Sequence, residues 1–454
     1  MTQCFEQLHL GILHGKPLRG GFDGGDISSD GGVMLVAAAD QRLGLTAALA
    51  ACIHDPRDQS QIRHQLPTLL GQRVYQIACG YEDCNDADDL RSDLAFKTAL
   101  GRRPKSDRDL ASQPTLSRFE NFVSRTSLRR MAEVFVEQFV ARYATDQACR
   151  IILDFDATDD PTHGQQQFTA FHGHYREHCY LPLLVTAQVD EGPQELLVAL
   201  LRPGNDSAAR HTIAILKRLV PRLRQACPKA TFLFRADGGF AQPDLYNWCE
   251  AEANAVDYEI NLPTNPRLRP LAAPYLQQVR AIYEETGEWR QVFAQEQYQA
   301  QGWPQPRRVA IKAEVTLNER GETRDNPRFV VTNLSLPQAR ELYEHYGGRG
   351  EMENRIKELK NDLQMDRTSC HRFVANQLRV LLHAAAYLLH CELRRQLHGT
   401  ELAAAQVKTL QRKLLKLGVR IHETARKIWL QFASSCPVRE LWPLLVERLQ
   451  AAPT

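Results

Sequence analysis

The sequence predicts an α/β protein whose sheet-bearing core is flanked by helical regions, and three observations predict it. Residues 1–145 place apolar side chains at helical spacing, as in GGVMLVAAADQRLGLTAALAACI and QLPTLLGQRVYQIACGYEDCNDADDLRSDLAFKTAL. From Arg150 the pattern changes to short apolar strands separated by turns. Helical periodicity returns from Cys370 onward.

In the middle segment RIILDFDA, LPLLVTAQV and QELLVALLR read as three strands. Asn205-Asp206-Ser207 offers an N-cap for the helix ARHTIAILKRLVPRL. TFLFRADGGF is a buried strand, a helix starts near Pro243-Asp244, and AVDYEINLP is a further strand. Three strands, helix, strand, helix, strand is an order that fits a ribonuclease-H-like core, assigned to 146–262 and 329–369. The interval 263–328 is too long for a plain connection. RRVAIKAEVTLNERGETRDNPRFVVTNL alternates clearly, so that interval is expected to be a β-rich insertion. Residues 1–145 are expected to form a helical N-terminal DNA-binding domain. Residues 370–454 should form a helical DNA-binding or dimerisation region, with VRIHE and KIWLQF as a hairpin before a last helix.

A chain of 454 residues has room for two or three domains. Its net charge of +2 decides nothing about nucleic acid, because acidic ligands and basic tracking surfaces can cancel. The N-terminus lacks the pattern of a secretory signal. The longest apolar stretch, Val380 to Leu389, is interrupted by His383 and is too short for a bilayer. No membrane partner is expected, and the cytoplasm is the expected compartment. Eleven scattered cysteines fit a reducing environment better than a disulfide framework. GRRPKSDRD, at 101–109, is a basic linker, and Arg118, Arg125, Arg129 and Arg130 form a basic side on the helix that follows. That side is either a solvated face or a DNA-contacting one.

Carboxylates stand where strands should be apolar. Asp154 and Asp156 share one face of RIILDFDA by alternation. Desolvating an unpaired carboxylate costs on the order of several kcal/mol, so either cations compensate them or the strand ends there. Asp237 ends a largely apolar run, and Gly238 and Gly239 beyond it would let a backbone, metal or ligand come close. Ligands gather outside the carboxyl ends of strands in α/β sheets. The plainer readings are turn residues at both positions. Tyr346, Arg349, Glu353 and Lys360 are spaced by three, four and seven positions, and on one helix they fall within roughly a 60° arc. A solvated face with intrahelical ion pairs is the alternative. Taken together, Asp156, Asp237 and Glu353 form an all-oxygen donor set suited to Mg²⁺ or Mn²⁺, as two ions working on a phosphodiester. Arg349 and Lys360 would then hold phosphates, with Tyr346 beside them.

Tyr346-GG-Arg349-GEM-Glu353-NRIKEL-Lys360 resembles the Y-x2-R-x3-E-x6-K signature of one branch of the DDE transposases of bacterial insertion sequences. Asp156-Ala157-Thr158 is similar to that family's D-x-T segment and Asp237-GGF to its second acidic segment, which favours Asp156 over Asp154 as first ligand. SDGGVMLV, GYEDCNDADDLR, QPTLSRFEN and LDFDATDDPTHGQQ look like the IS-thirteen-eighty group. The resemblance spans nearly the whole chain. It implies cut-and-paste transfer by a homodimer that brings two double-stranded element ends together with target DNA. It also implies an aromatic residue that steadies a flipped base, for which Trp289 and Trp303 are candidates beside ordinary packing. A nuclease on the same core that cuts without joining, and a catalytically silent DNA-binding protein, are the competing readings. A glycosidase with paired acids is disfavoured, because no tryptophan lies next to Asp156 or Asp237.

Overall fold

The structure is a computed structural model and describes residues 7–317, 321–335 and 338–451. It divides into two compact units, one of 1–128, 358–367 and 381–454, the other of 129–357 and 368–380.

The second unit is built on an eight-stranded mixed sheet. Its strands are β1 (Arg150–Ala157), β2 (Leu183–Val189), β3 (Glu195–Leu200), β4 (Thr231–Ala236), β5 (Asp257–Leu262), β6 (Val292–Tyr298), β7 (Arg307–Ala313) and β8 (Arg328–Thr332). They lie in the order β6-β7-β8-β5-β4-β1-β2-β3. β4 runs parallel to both β1 and β5, and all other neighbours are antiparallel. The helices are α1 (Thr212–Ala226), α2 (Pro243–Glu250), α3 (Arg269–Thr286), α4 (Ala339–Gly347) and α5 (Gly350–Lys357).

Strand alternation sorts β1 into two faces. Ile151, Leu153 and Phe155 point into the main apolar core with Phe232 and Phe234 of β4, under Leu216, Leu219 and Leu223 of α1 and Leu245 of α2. Phe155 and Phe234 meet with ring centroids 5.0 Å apart, and burying each such ring stabilises the fold by roughly 2–3 kcal/mol. A one-residue slip of β1 would send these rings to the other face and its aspartates into the core, so the register is strongly specified. The opposite face carries a polar row, because pairing sets Thr186, Asp154, Arg235, Glu259 and Thr332 side by side on adjacent strands.

The segment expected as a β-rich insertion contributes β6 and β7, and these extend the central sheet through β8. It also holds the long helix α3, which the alternation around it had obscured. Alternation marks a half-buried strand but carries no information about which edge it joins.

The first unit combines both ends of the chain, where the sequence suggested separate flanking regions. Helices Val33–Leu43 and Leu66–Ala78 belong to it together with Leu441–Gln450, and Ile27–Ser28 pairs with the hairpin Val419–Glu423 and Ile428–Phe432. The chain also opens with an exposed hairpin, Leu8–Leu13 and Lys16–Gly20, that the helical pattern did not suggest. The SDGG turn is the lock. Gly31 N–H donates to the Leu417 carbonyl at 2.8 Å and Gly32 N–H to that of Leu415 at 3.1 Å. A Cβ on Gly32 would stand 2.1 Å from the Leu414 carbonyl oxygen, so only glycine fits. Beside the turn, Lys416 joins Asp30 at 2.7 Å and lies over the Tyr81 ring. Among the described residues no single helix is long and apolar enough to cross a membrane.

Replacing Gly32 by alanine should lower the urea midpoint of unfolding by an amount equivalent to about 1–3 kcal/mol. Gly418→Ala, whose new methyl meets nothing within 4 Å, should leave it unchanged. Equal midpoints for the two variants would remove the lock.

Candidate active site

Asp156 lies near the carboxyl end of β1, and Asp237 follows directly on β4, the parallel neighbour of β1. The Asp237 carboxylate accepts from the Gly239 N–H at 2.9 Å and so starts a short 3₁₀ turn. Gly238 and Gly239 are required by Pro263 and Ala208, whose carbons would stand 2.8 Å from an added Cβ at each position. Of the close approaches that these glycines allow, to a backbone, metal or ligand, the structure shows those of Pro263 and Ala208.

The stripe from Tyr346 to Lys360 does not run along one helix. α4 ends at Gly347, where two consecutive glycines weaken the helix. α5 starts at Gly350, and Glu358–Asp362 is a single π-helical turn. A Cβ on Gly348 would lie 2.7 Å from Arg235 Nη1, so another residue there would have to move that guanidinium. The break turns Arg349 toward the strand ends. Its Nη2 donates to Asp156 Oδ2 at 2.7 Å and its Nη1 to Glu353 Oε1 at 3.1 Å. Arg349 and Asp156 side chains are 11% and 10% exposed, whereas Glu353 is 55% exposed and faces outward. The Tyr346 hydroxyl donates to the Ala236 carbonyl at 3.3 Å, one residue before Asp237. Lys360 sits in the π turn, within the other unit.

Burial and then neighbouring charge set the protonation of Asp156, Arg349 and Tyr346. Burial pushes Asp156 up to about 7; Arg349 opposes this, while Asp237 and Glu353 add to it by repulsion. Burial pulls the Arg349 guanidinium down, but Asp156, Tyr346, Asp237 and Glu353 more than offset it, and the net shift is upward. Burial likewise raises the Tyr346 phenol well above its usual range.

Asp154 has a different setting. Arg235 grips it with two bonds, Nε to Oδ1 at 2.7 Å and Nη2 to Oδ2 at 2.8 Å, and Gln194 donates to it at 2.7 Å. The third guanidinium nitrogen, Nη1, donates to the His345 carbonyl at 3.0 Å near the end of α4, and His345 Nδ1 meets Glu259 at 2.8 Å. Of the two β1 aspartates, then, one is neutralised inside the sheet and the other opens toward Arg349. Trp303 is buried against Tyr246 and Tyr298 with Arg307 over its ring, and Trp289 stacks on Tyr283 at 3.9 Å. Both tryptophans are engaged in packing.

Tyr175 is a neighbour that sequence reasoning passed over. Its hydroxyl donates to the Ala157 carbonyl at 3.4 Å. Burial first, then Asp159, Asp156 and Asp237, push it up to about 12. The one available signal was its place in the segment that follows the Asp156 strand.

Among the described residues, no three His, Cys, Asp or Glu side chains are grouped closely enough to hold a metal ion as placed. The donor set still fits one in kind: it is all carboxylate oxygen, and the repulsion from Asp237 and Glu353, which adds to the burial that lifts Asp156, is what a cation relieves. Arg349 supplies part of that positive charge.

The family model described as transposase DDE domain group 1 matches residues 10–454. The chain belongs to that family. Curated proteins give no match to this transposase. Among solved structures it is similar to a piggyBac transposase in a synaptic complex with hairpin DNA, determined by cryo-electron microscopy. That similarity has 12% identity and a TM-score of 0.43, over 85% of this chain and 79% of the other.

Removing Arg235 should leave Asp154 charged and unpaired inside the transposase sheet, so Arg235→Leu should cost about 3–5 kcal/mol in urea unfolding. Replacing Asp154 by leucine as well should recover much of that loss, and no recovery would show that the bond to the His345 carbonyl matters more than the ion pair. A second expectation follows from Asp156, which titrates near 3.8 when unfolded and near 7 when folded. Between these values the folded state holds the extra proton, so stability falls as pH rises from about 4 to 7. Thermal melting should therefore show Asp156→Asn gaining on the native protein across that window and levelling off above it.

Proposed function

We propose that this transposase binds the terminal inverted repeats of a bacterial insertion sequence and cuts and joins DNA there through Asp156, Asp237 and Glu353. The observation that carries the reading is the convergence of three chain segments. Asp156 and Asp237 end adjacent parallel strands, and Arg349 joins Asp156 to Glu353.

The five strands β3-β2-β1-β4-β5, with only β1, β4 and β5 parallel, support a ribonuclease-H-like core. The Y-R-E-K spacing supports the branch of DDE transposases with that signature, and SDGGVMLV, GYEDCNDADDLR, QPTLSRFEN and LDFDATDDPTHGQQ support the IS-thirteen-eighty group. The three carboxylates would hold Mg²⁺ or Mn²⁺, which when bound supplies Lewis-acid stabilisation of the attacking and leaving oxygens of a phosphodiester. Arg349 holds Asp156 and Glu353 in place through its fork and neutralises them, which gives it a structural part beside any phosphate contact. Tyr346 fixes the backbone just before Asp237. Asp154 serves as the partner of Arg235 and not as a ligand. Lys360 is read as a phosphate contact on the strength of the signature. Synapsis of two element ends calls for a homodimer.

The test is incubation with Mg²⁺ and double-stranded DNA carrying the element's own ends, scored for cleavage and for joining. Asp156→Ala, Asp237→Ala and Glu353→Ala should each reduce cleavage at least a thousandfold while DNA binding persists. Full activity in any variant removes that residue from the site. Cleavage with no joined product would favour a nuclease.

A further inference from the structure

The first unit holds a cavity of about 850 Å³ that the proposed chemistry does not use. Arg57, Arg63, Arg91, Arg108 and Arg118 line it, from separate stretches of the chain. Arg57 is accounted for: Asp55 grips it with bonds of 2.8 and 2.6 Å, and it donates to the His64 carbonyl at 3.1 Å. Arg63, Arg91, Arg108 and Arg118 are exposed, and among the described residues no carboxylate lies within ion-pair distance of them.

Two acids share the lining, and both are engaged elsewhere. Asp58 accepts from the Ser60 N–H at 3.0 Å, and Asp109 lies 3.7 Å from Lys97. The cavity is therefore net positive. A built-in reporter agrees: His64, also in the lining, is pushed down to about 4 by burial first and then by Arg102, Arg108, Arg57 and Arg63. Arginine paired with carboxylate is ordinary surface chemistry. Four arginines without such a partner around one concavity lack their counter-ion. Low-dielectric walls focus the field inside it, and the guanidinium fork matches phosphate oxygens. Phe119 and Phe122 line the same cavity, and Arg57 lies over the Phe122 ring at 5.8 Å.

We propose that this arginine-lined cavity seats the phosphodiester backbone of duplex DNA, as a second DNA contact distinct from the carboxylate site. The proposal rests on the transposase reading. The contacts are with phosphate, so they position the duplex and read no bases. The sequence had pointed to Arg118, Arg125, Arg129 and Arg130 as one basic side, solvated or DNA-contacting, and of these only Arg118 lies on the 113–122 helix that lines the cavity. The cavity draws Arg63, Arg91 and Arg108 to the same place from segments with no shared pattern.

The experiment measures binding of the full chain to fluorescent duplex carrying the element's ends, across a KCl series. Each of Arg63→Gln, Arg91→Gln, Arg108→Gln and Arg118→Gln that removes a phosphate contact should reduce the slope of log affinity against log salt by about 0.9, and the fourfold variant by about 3.6. Lysine at the same positions should keep most of the slope. Arg439→Gln, an exposed arginine beside Glu440 in the same unit, should not alter it. Thermal melting confirms that each variant is folded. Unchanged slopes in the folded cavity variants, beside a native protein that binds DNA, overturn the cavity assignment and leave the transposase reading intact. A native protein that binds no duplex overturns both. Tripolyphosphate binding that the variants lose while DNA binding persists marks a small-anion pocket and also overturns the assignment.

Discussion

The bidentate pair of Arg235 and Asp154 is the contact on which the geometry of the carboxylate site depends. It lies within the sheet, where a lone charge of either sign would be costly. Arg235 does more than neutralise. With its remaining nitrogen it holds the end of α4, and a side chain at position 348 would have to displace its guanidinium. The helix break that follows is what brings Arg349 between Asp156 and Glu353. Two aspartates two residues apart on one strand therefore have opposite tasks: Asp154 is spent on architecture and Asp156 is kept for the outside.

Part of this was legible in the residues. Carboxylates on an apolar strand are conspicuous, so Asp154, Asp156 and Asp237 could be picked out. Strand ends next to parallel neighbours are where such groups become useful. The division of labour was not legible, because it depends on Arg235, which is remote in sequence and unremarkable in TFLFRAD. The break and the π turn in the YGGRGEMENRIKELK stretch were hidden for another reason. Angular bookkeeping assumes 3.6 residues per turn throughout, and one π turn changes the phase of everything after it. The glycine pair was visible, but its consequence was not.

The larger misfit concerns domain boundaries. Composition changes along the chain near Arg150 and Cys370, and these changes do mark where strands begin and helices resume. They do not mark which pieces share a core. β6 and β7 join the central sheet although a helix and a long excursion precede them. Contacts such as Gly32 against Leu414 link segments nearly the whole chain apart, and no local periodicity encodes them.

The Gly32 lock also sets an order of events during synthesis. The first unit needs residues 381–454 to close around its N-terminal helices. At roughly 5–20 residues per second, the N-terminal segment waits on the order of 15–60 s after leaving the ribosome before its partner is made. The sheet of the second unit, contiguous but for its last short segment, can form in that interval. A nascent chain thus exposes unfinished helices while its carboxylate-bearing unit is already taking shape. A message cut short just after codon 380 would encode the whole of the second unit and only part of the first.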